Sequence, residues 1–223
     1  MAQTLNGAYR GLDALRRLLA LKAPRVRTRY TYYEMKNITK DFNIVTPPEF
    51  LALQEVLGWC AKAVDALADR LAFRGFAQDD FSLADIFARN NPDILFDSAI
   101  LSAMIFSCCF LYISPGEDGF PRLQVLDGGR ATGVMDPITG LLREGYAILR
   151  RDETSRPLLE AYFTPGRTEY WERGAKAPRV EVHDAPAPLL VPIIYRPDAV
   201  RPFGHQPRVH FHFAGGFAHA ETL

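Results

Sequence analysis

Hydrophobic residues recur at helical spacing in the first half of the chain. Between Pro47 and Phe76, apolar residues follow one another at alternating steps of three and four, which places them on one stripe of a helix. These residues are Phe50, Leu53, Leu57, Cys60, Val64, Leu67 and Leu71. Thr46 is a candidate N-cap, prolines open the first turn, and Gly75 is a stop signal. The pattern predicts one long amphipathic helix with a buried face, around which the rest of the chain is organised.

A second apolar stripe predicts an earlier helix from Leu5 to Leu21, which Pro24 ends. Its expected inward residues are Leu12, Leu15, Leu18 and Leu19, and its expected solvent-facing residues are Arg10, Arg16 and Arg17. The segment 23–45 that follows mixes basic residues with Tyr30, Tyr32 and Tyr33. We expect it to form an exposed short helix whose tyrosines pack inward and whose lysines stay solvated.

Two more helices are predicted before the chain changes character. The first runs from Phe81 to Asn90, with Asp80 or Ser82 as its cap. The second begins near Asp93 and carries a set of apolar residues inward. That set is Ile94, Leu95, Ala99, Ile100 and Ala103. Around Ser107 the residues begin to favour a strand.

Turn signals at short intervals predict that the second half is β-rich. The turn 115–119 separates the strand after Ser107 from a strand at 123–126, which predicts a hairpin. Further strands are predicted at 131–135, 141–150, 158–163 and 168–172, followed by a proline- and glycine-rich loop and a last strand at 189–195. The chain is therefore predicted to be α+β, with N-terminal helices packed beside an antiparallel β meander.

Composition narrows the function classes. The 26 basic and 26 acidic residues cancel, so the total charge does not favour a nucleic-acid or anionic-membrane surface. The three cysteines, Cys60, Cys108 and Cys109, lie in apolar stretches, which argues against a disulfide framework and favours reduced, intracellular assembly. Residues 1–7 lack the features of a secretory signal. The uncharged stretch 98–116 is interpreted as a buried helix running into a buried strand, not as a membrane span.

Candidate chemical groups are few. His210 and His212 alternate as ligands on a strand would, with His205 and His219 nearby, but no third ligand type accompanies them, so no metal site is predicted. No phosphate-binding loop is present, and no cofactor is expected. A small α+β enzyme that uses His183 or the Cys108–Cys109 pair remains an alternative, and it requires a pocket that joins those residues.

A basic nucleic-acid-binding module is the other alternative. Its phosphate contacts would come from Arg25, Arg27, Arg29, Lys36 and Lys40, interleaved with tyrosines that can stack on bases. Such a module predicts DNA affinity that falls steeply as salt is added.

Four short motifs resemble portal proteins of tailed bacteriophages, which form the ring at one capsid vertex through which DNA enters and leaves. In chain order they are Tyr32-Tyr33-Glu34-Met35-Lys36, Pro47-Pro48-Glu49-Phe50, the run from Val64 to Phe76, and Val191-Pro192-Ile193-Ile194-Tyr195-Arg196-Pro197. The resemblance covers roughly residues 8 to 205. It rests on the order and spacing of the four motifs taken together. It implies a structural protein and not an enzyme, with no catalytic residues.

The resemblance also implies an organisation and a set of partners. Residues 1–76 would form the helical part of the portal wing, 77–198 a helix pair with the antiparallel β part, and 199–223 an aberrant, disordered tail. The implied partners are other subunits of a dodecameric ring, capsid and scaffold proteins, the terminase, the head–tail adaptor and double-stranded DNA in the channel. The implied location is the portal vertex of the virion, after assembly in the bacterial cytoplasm.

The last residues depart from the family. After Arg201-Pro202-Phe203-Gly204-His205, portal proteins enter a stem helix, whereas here the sequence has no helical stripe and contains two adjacent glycines. We expect a frameshift or early stop near codon 205. The chain would then be a fragment that is monomeric or weakly self-associating.

Overall fold

The computed structural model describes residues 11–36, 58–79 and 81–195, and it shows helices packed beside antiparallel sheets. This confirms the predicted α+β fold class. The helices in these ranges are α1 Leu12–Tyr33, α2 Trp59–Ala68, α3 Leu83–Ala88 and α4 Pro92–Phe106. None of them is both long enough and apolar enough to cross a membrane.

The strands form two sheets in which every pairing is antiparallel. They are β1 Cys108–Pro115, β2 Pro121–Asp127, β3 Ala131–Met135, β4 Leu142–Arg151, β5 Pro157–Thr164, β6 Arg167–Glu172, β7 Arg179–Val182 and β8 Leu190–Ile194. The smaller sheet has three strands in the order β2-β1-β8, and the larger has five in the order β3-β4-β5-β6-β7.

Strand β1 lies between two hydrophobic cores. Cys109 and Leu111 belong to the core formed with α4, whereas Phe110 and Tyr112 belong to the core shared with the five-stranded sheet. This alternation follows from the two-residue period of a strand, which turns successive side chains to opposite faces. The small sheet therefore has α4 on one face and the large sheet on the other.

The large sheet is likewise buried on both faces. Ala147 and Phe163 pack toward the small sheet, while Tyr146 on the neighbouring position of β4 packs against Leu15 and Leu19 of α1. Helix α1 thus covers the outer face of the large sheet. Its predicted inward stripe is confirmed at both of these leucines, which are buried.

The predicted end of α1 at Pro24 is wrong, because the helix continues through this proline to Tyr33. A proline inside a helix loses one backbone hydrogen bond. Contacts before and after Pro24 in the chain hold the helix in place. Lys22 Nζ lies 3.1 Å from Thr132 Oγ1, and Arg29 Nη1 lies 3.1 Å from the Phe106 carbonyl oxygen. Tertiary contacts therefore override the local stop signal. The predicted residues 5–10 lie outside the described ranges.

The long organising helix is only partly confirmed. Its predicted first part, up to residue 57, lies outside the described residues. The described part ends at Ala68, well before Gly75. The chain leaves the helix because Phe73 packs on the helices that follow, with its ring centroid 4.0 Å from that of Phe96. The predicted buried face is wrong as well: Cys60 is exposed, and Leu67 is 49% exposed.

The predicted cap of α3 is confirmed in position but not in its hydrogen bond. Ser82 occupies the N-cap position but makes no side-chain hydrogen bond there, and Asp80, the alternative cap, lies outside the described residues. The Asp79 carboxylate accepts the backbone N–H groups of Leu83 and Ala84 instead. A carboxylate reaching from outside the helix satisfies the same free donors.

Helix α4 begins at Pro92 and ends at Phe106. This end agrees with the prediction that residues from about Ser107 favour a strand over a helix. Its inward stripe is confirmed at Leu95, Ala99 and Ala103, which are buried four residues apart. Ile94 was predicted to point inward but is 57% exposed, because it lies one position off this stripe.

The predicted hairpin and meander strands are confirmed. Two features of the C-terminal part differ. The predicted loop contains β7, a short edge strand that pairs with β6. The predicted last strand is β8, which leaves the meander and pairs with β1 in the small sheet.

Candidate functional site

The two adjacent cysteines are internal. Cys109 is fully buried, and its thiol lies 3.2 Å from the Ala99 carbonyl oxygen. Burial raises the pKa of both Cys108 and Cys109 thiols, although Lys22 opposes this at Cys108. At neutral pH both sulfurs are therefore thiols, which are poor nucleophiles.

The candidate base His183 lies on the other sheet. It follows β7, and its Nε2 lies 3.4 Å from Thr168 Oγ1 in β6. Its Nδ1 is buried with no hydrogen-bond partner in the described part of the chain. The cysteines are in β1 of the small sheet, and no hydrogen bond joins either thiol to this imidazole in the described ranges. The structure does not assemble the nucleophile–base pair that the enzyme alternative requires.

No cluster of three metal-ligating side chains occurs within residues 11–36, 58–79 and 81–195. The histidine-rich segment that contains His205, His210, His212 and His219 lies outside these ranges.

The basic residues of α1 divide into two groups. Arg25 and Arg27 are exposed, whereas Arg29 donates to both the Phe106 carbonyl and the Ser107 hydroxyl. Lys36 forms an exposed ion pair with a neighbouring glutamate at 3.0 Å. Arg29 is therefore part of the packed structure. Lys40, the fifth member of the predicted basic set, lies outside the described residues.

Two of the four motifs that carry the portal resemblance contact each other, whereas the motif Pro47-Pro48-Glu49-Phe50 lies outside the described residues. The Tyr33 hydroxyl in α1 donates a hydrogen bond of 2.8 Å to the Asp65 carboxylate in α2, which joins the first and third motifs. Burial, followed by this hydrogen bond, raises the pKa of Tyr33 to about 12. The pair is half-buried between the two helices.

Two other motif residues pack elsewhere, at the core that α4 forms with β1. The Phe76 ring packs edge-on against Phe73 at a centroid distance of 5.1 Å, beside α3 and α4. The Tyr195 backbone N–H donates to the Ser107 carbonyl at 3.0 Å, where β8 pairs with the start of β1. We call the contacts that join Arg29 of α1 and Tyr195 to Ser107 the motif junction.

Ser107 is the connecting residue of the motif junction. It has φ 73° and lies buried between the end of α4 and the start of β1. A non-glycine residue in this left-handed region costs energy, so the surrounding contacts must hold it there. Arg29 supplies one of them through the Ser107 hydroxyl, and Tyr195 supplies another through the Ser107 carbonyl.

A separate polar network joins α1 to the large sheet, and the sequence did not predict it. Arg16, expected in water, donates to Glu160, which also accepts the Tyr146 hydroxyl. Partial burial opposes the charge of Arg16, but the Glu160 carboxylate outweighs it and raises the pKa of Arg16. The sequence shows Glu160 as a charged residue among the apolar residues of a predicted strand, which could have indicated a buried ion pair. Nothing in the sequence identifies its partner, Arg16, which lies 144 positions away.

A second glutamate repeats this arrangement nearby. Glu144 accepts the Tyr162 hydroxyl at 3.0 Å and the Gly11 backbone N–H, at the start of α1, at 2.7 Å. Burial and the Glu144 hydrogen bond raise the pKa of Tyr162 to about 12. Two carboxylates on the sheet therefore fix the position of the first turns of α1.

A cleft of about 470 Å³ opens beside this network, between Arg16, Trp171 and Arg173. Arg16 already pairs with Glu160, and Arg173 pairs with Asp152 at 2.7 Å. These two guanidinium groups are thus paired within the protein. Arg156 and Glu172, which are exposed, also line the cleft. This lining of mixed charge does not single out a substrate.

No protein-family model matches this chain, and no curated protein is significantly similar to it. Function must therefore be inferred from the fold and from the contacts among the motif residues.

Proposed function

We propose that this chain is the wing portion of a tailed-bacteriophage portal protein, a structural subunit of the ring at the capsid vertex through which DNA is packaged and ejected. The observation that carries the proposal is the hydrogen bond between Tyr33 and Asp65. These residues belong to two motifs of the resemblance that are 32 positions apart. Motifs that resemble a family for a physical reason are expected to contact one another, and these two do.

The order of the elements also supports the proposal. The helices come first, the hairpin of β1 and β2 follows, and an antiparallel meander comes last. This is the arrangement that the resemblance implied for a portal wing. The last described motif, which contains Val191 and Ile193, returns to pair with β1 at the end of α4. The β-rich segment between the third and fourth motifs thus ends where the fourth motif returns to the strand that opens it.

The chemistry of the described residues suits a structural role. The thiols of Cys108 and Cys109 face packed surroundings, and two arginines beside the cleft pair with carboxylates. The pair of Arg16 and Glu160 joins α1 to β5. Under the proposal, the work of the protein is done by shape and assembly.

The proposal includes partners and a location. The partners would be other portal subunits in a dodecameric ring, capsid and scaffold proteins, the terminase, the head–tail adaptor, and double-stranded DNA passing through the intact ring. The location would be the portal vertex of the virion, reached from the bacterial cytoplasm. The wing would lie toward the outside of the ring, as the resemblance implies.

The experiment is to sequence the gene and translate the DNA beyond codon 205 in all three frames. The proposal predicts that one frame continues with a long, charged amphipathic helix, the start of a stem. If every frame stops or encodes sequence without such a helix, the assignment of this chain to a portal gene is contradicted.

A further inference from the structure

Strand β7 is an open edge of the large sheet in the described part of the chain, where it pairs only with β6. The His183 backbone N–H donates toward β6, to a carbonyl in the β5–β6 turn. Successive residues of a strand turn their N–H and C=O groups to opposite edges, so Arg179 and Glu181 also bond toward β6. The N–H and C=O groups of Val180 and Val182 therefore point away from the sheet. An edge of this kind can accept another strand.

The side chains of β7 alternate between apolar and charged. Val180 is 41% exposed and Val182 is 82% exposed. Arg179 and Glu181 lie on the opposite face and pair with each other at 2.7 Å, and the Arg179 guanidinium lies 4.4 Å from the Tyr170 ring centroid. The flanking segments 173–178 and 183–189 are both described, and neither adds a strand to the open edge. The residues next to β7 in the chain thus leave this edge free.

The charges on β7 distinguish among the registers in which it could pair with itself. In an antiparallel pair, opposite residues must both turn their backbone groups toward the partner or both away, so the two-fold axis passes through one residue. An axis at Arg179 or at Glu181 sets like charges directly opposite, which destabilises a sheet. An axis at Val182 shifts half of β7 beyond the partner strand. An axis at Val180 places Arg179 of each copy opposite Glu181 of the other.

We propose that two copies of this chain associate by antiparallel pairing of their β7 strands about Val180. The residues that flank β7 extend the charge match. Lys176 lies four positions before Val180 and Asp184 four positions after it, and both are exposed. The same axis brings Lys176 of each copy toward Asp184 of the other, so every formal charge from Lys176 to Asp184 meets an opposite one. This complementarity favours a second copy over an unrelated strand, and it joins the two five-stranded sheets into one.

The length of β7 predicts a weak dimer. A strand of four residues is about 13 Å long, so the pair buries less than the ~1,200 Å² found in stable interfaces. Pro178, which lies opposite Val182 in the proposed register, has a carbonyl but no N–H, and the ladder ends there. We expect a dissociation constant on the order of 100 µM. The inference needs only β7 and does not depend on the proposed portal function.

The first test is sedimentation equilibrium on the full chain over roughly 10–1,000 µM, where the proposal predicts a shift from monomer to dimer. Arg179→Glu and Glu181→Arg should each weaken self-association about tenfold, because each sets like charges opposite one another. An equimolar mixture of the two variants should associate as wild type does, since each acidic position then faces a basic one. A folding defect would not be repaired by mixing. A wild type that stays monomeric, variants that associate as wild type does, or a mixture that stays monomeric overturns the proposal.

A second test addresses the register. The proposed axis sets the two Val180 Cα atoms about 5.5 Å apart, within disulfide range. The two Val182 residues would lie four positions apart along the strands, about 13 Å. In a Cys60→Ser background, with diamide as the oxidant, Val180→Cys should form a covalent dimer faster than Val182→Cys, although Val182 is the more exposed residue. Equal rates, or faster cross-linking at Val182, would overturn the register.

Discussion

Removing the Tyr33 hydroxyl tests the contact on which the functional proposal depends. The hydroxyl donates to the Asp65 carboxylate at 2.8 Å, and both side chains are half-buried between α1 and α2. Tyr33→Phe deletes the donor and keeps the ring. Hydrogen bonds to charged groups stabilise folded proteins by about 1.5–3 kcal/mol. Because water can reach this carboxylate once the hydroxyl is removed, we expect a loss below this range, about 1 kcal/mol, as for an ordinary hydrogen bond.

The assay is urea unfolding followed by circular dichroism. With a slope of about 2–3 kcal/mol/M, a loss of about 1 kcal/mol lowers the unfolding midpoint by about 0.3–0.5 M urea. The control is Tyr32→Phe, the same change one position away at a side chain that is 49% exposed, and it should change stability little. In a double-mutant cycle with Asp65→Ala, the coupling energy should be about 1 kcal/mol. Equal effects of the two tyrosine variants, or a coupling energy near zero, would refute the reasoning.

The raised pKa of Tyr33 adds a test by pH. The phenol loses its proton near its ordinary pKa of 10 in the unfolded chain but near 12 in the folded protein. The stability that the group contributes is thus fully present below pH 10 and is lost as pH rises toward 12. The difference in unfolding free energy between wild type and Tyr33→Phe should shrink over this window. A difference that stays constant from pH 9 to pH 12 would contradict the assigned cause.

Three further predictions follow from other contacts. Arg29→Met removes the guanidinium that donates to the carboxyl end of α4, and it should lower the unfolding free energy by about 1.5–3 kcal/mol in urea titrations. Tyr112 and Tyr170 share a buried hydrogen bond of 2.9 Å between the sheets, so each change to Phe should cost about 1–2 kcal/mol and the double change less than the sum of both. Arg173 and other donors lower the pKa of Asp152 from 3.8 to about 2, so its contribution to stability is present above pH 4 and is lost as pH falls toward 2. Arg173→Gln should weaken that acid dependence.

Matched controls keep these predictions specific. Arg25→Met changes an exposed arginine on the same helix as Arg29 and should leave stability within about 0.5 kcal/mol of wild type. Arg179→Gln changes an arginine that pairs with Glu181 instead, so the acid unfolding curve should keep its Asp152 component. If Arg25→Met destabilises the protein as much as Arg29→Met, loss of the charged side chain in general, and not the contact with α4, is the cause.

The β-rich half was largely predictable because its signals are local. Turns such as 136–140 contain glycine where the chain needs a positive φ, as Gly140 shows at 72°. Each hairpin then fixes the pairing of the strands beside it, which is why the predicted and observed strands agree closely in this region. The exception is β7, a short edge strand in a segment whose prolines and glycines indicated a loop.

The helical half was harder because distant contacts decide its boundaries. Pro24 is a local stop signal, yet α1 continues through it between anchors at Lys22 and Arg29. The stripe that extends to Leu71 is a valid helical pattern, yet burial of Phe73 against Phe96 ends α2 at Ala68. In both places packing energy outweighs the local preference.

The contacts of the candidate site show the same limit. The pairing of Arg16 with Glu160 spans 144 positions, and no sequence period links the two. The sequence did not predict the contact between Tyr33 and Asp65, because the order of the motifs indicates which segments matter but not which side chains meet. Residue types can therefore indicate which segments matter, while the partners of each side chain need the folded structure.

The central claim is that this chain belongs to the portal vertex of a tailed bacteriophage. The most direct measurement is immunogold labelling of purified particles from the source strain, with antibodies against a peptide from the exposed β3–β4 turn that contains Ile138. Because the proposal places the wing toward the outside of the ring, the account predicts label at one vertex of each capsid, where the tail attaches. Label spread evenly over the capsid, or particles that contain portal rings but carry no label, would contradict it.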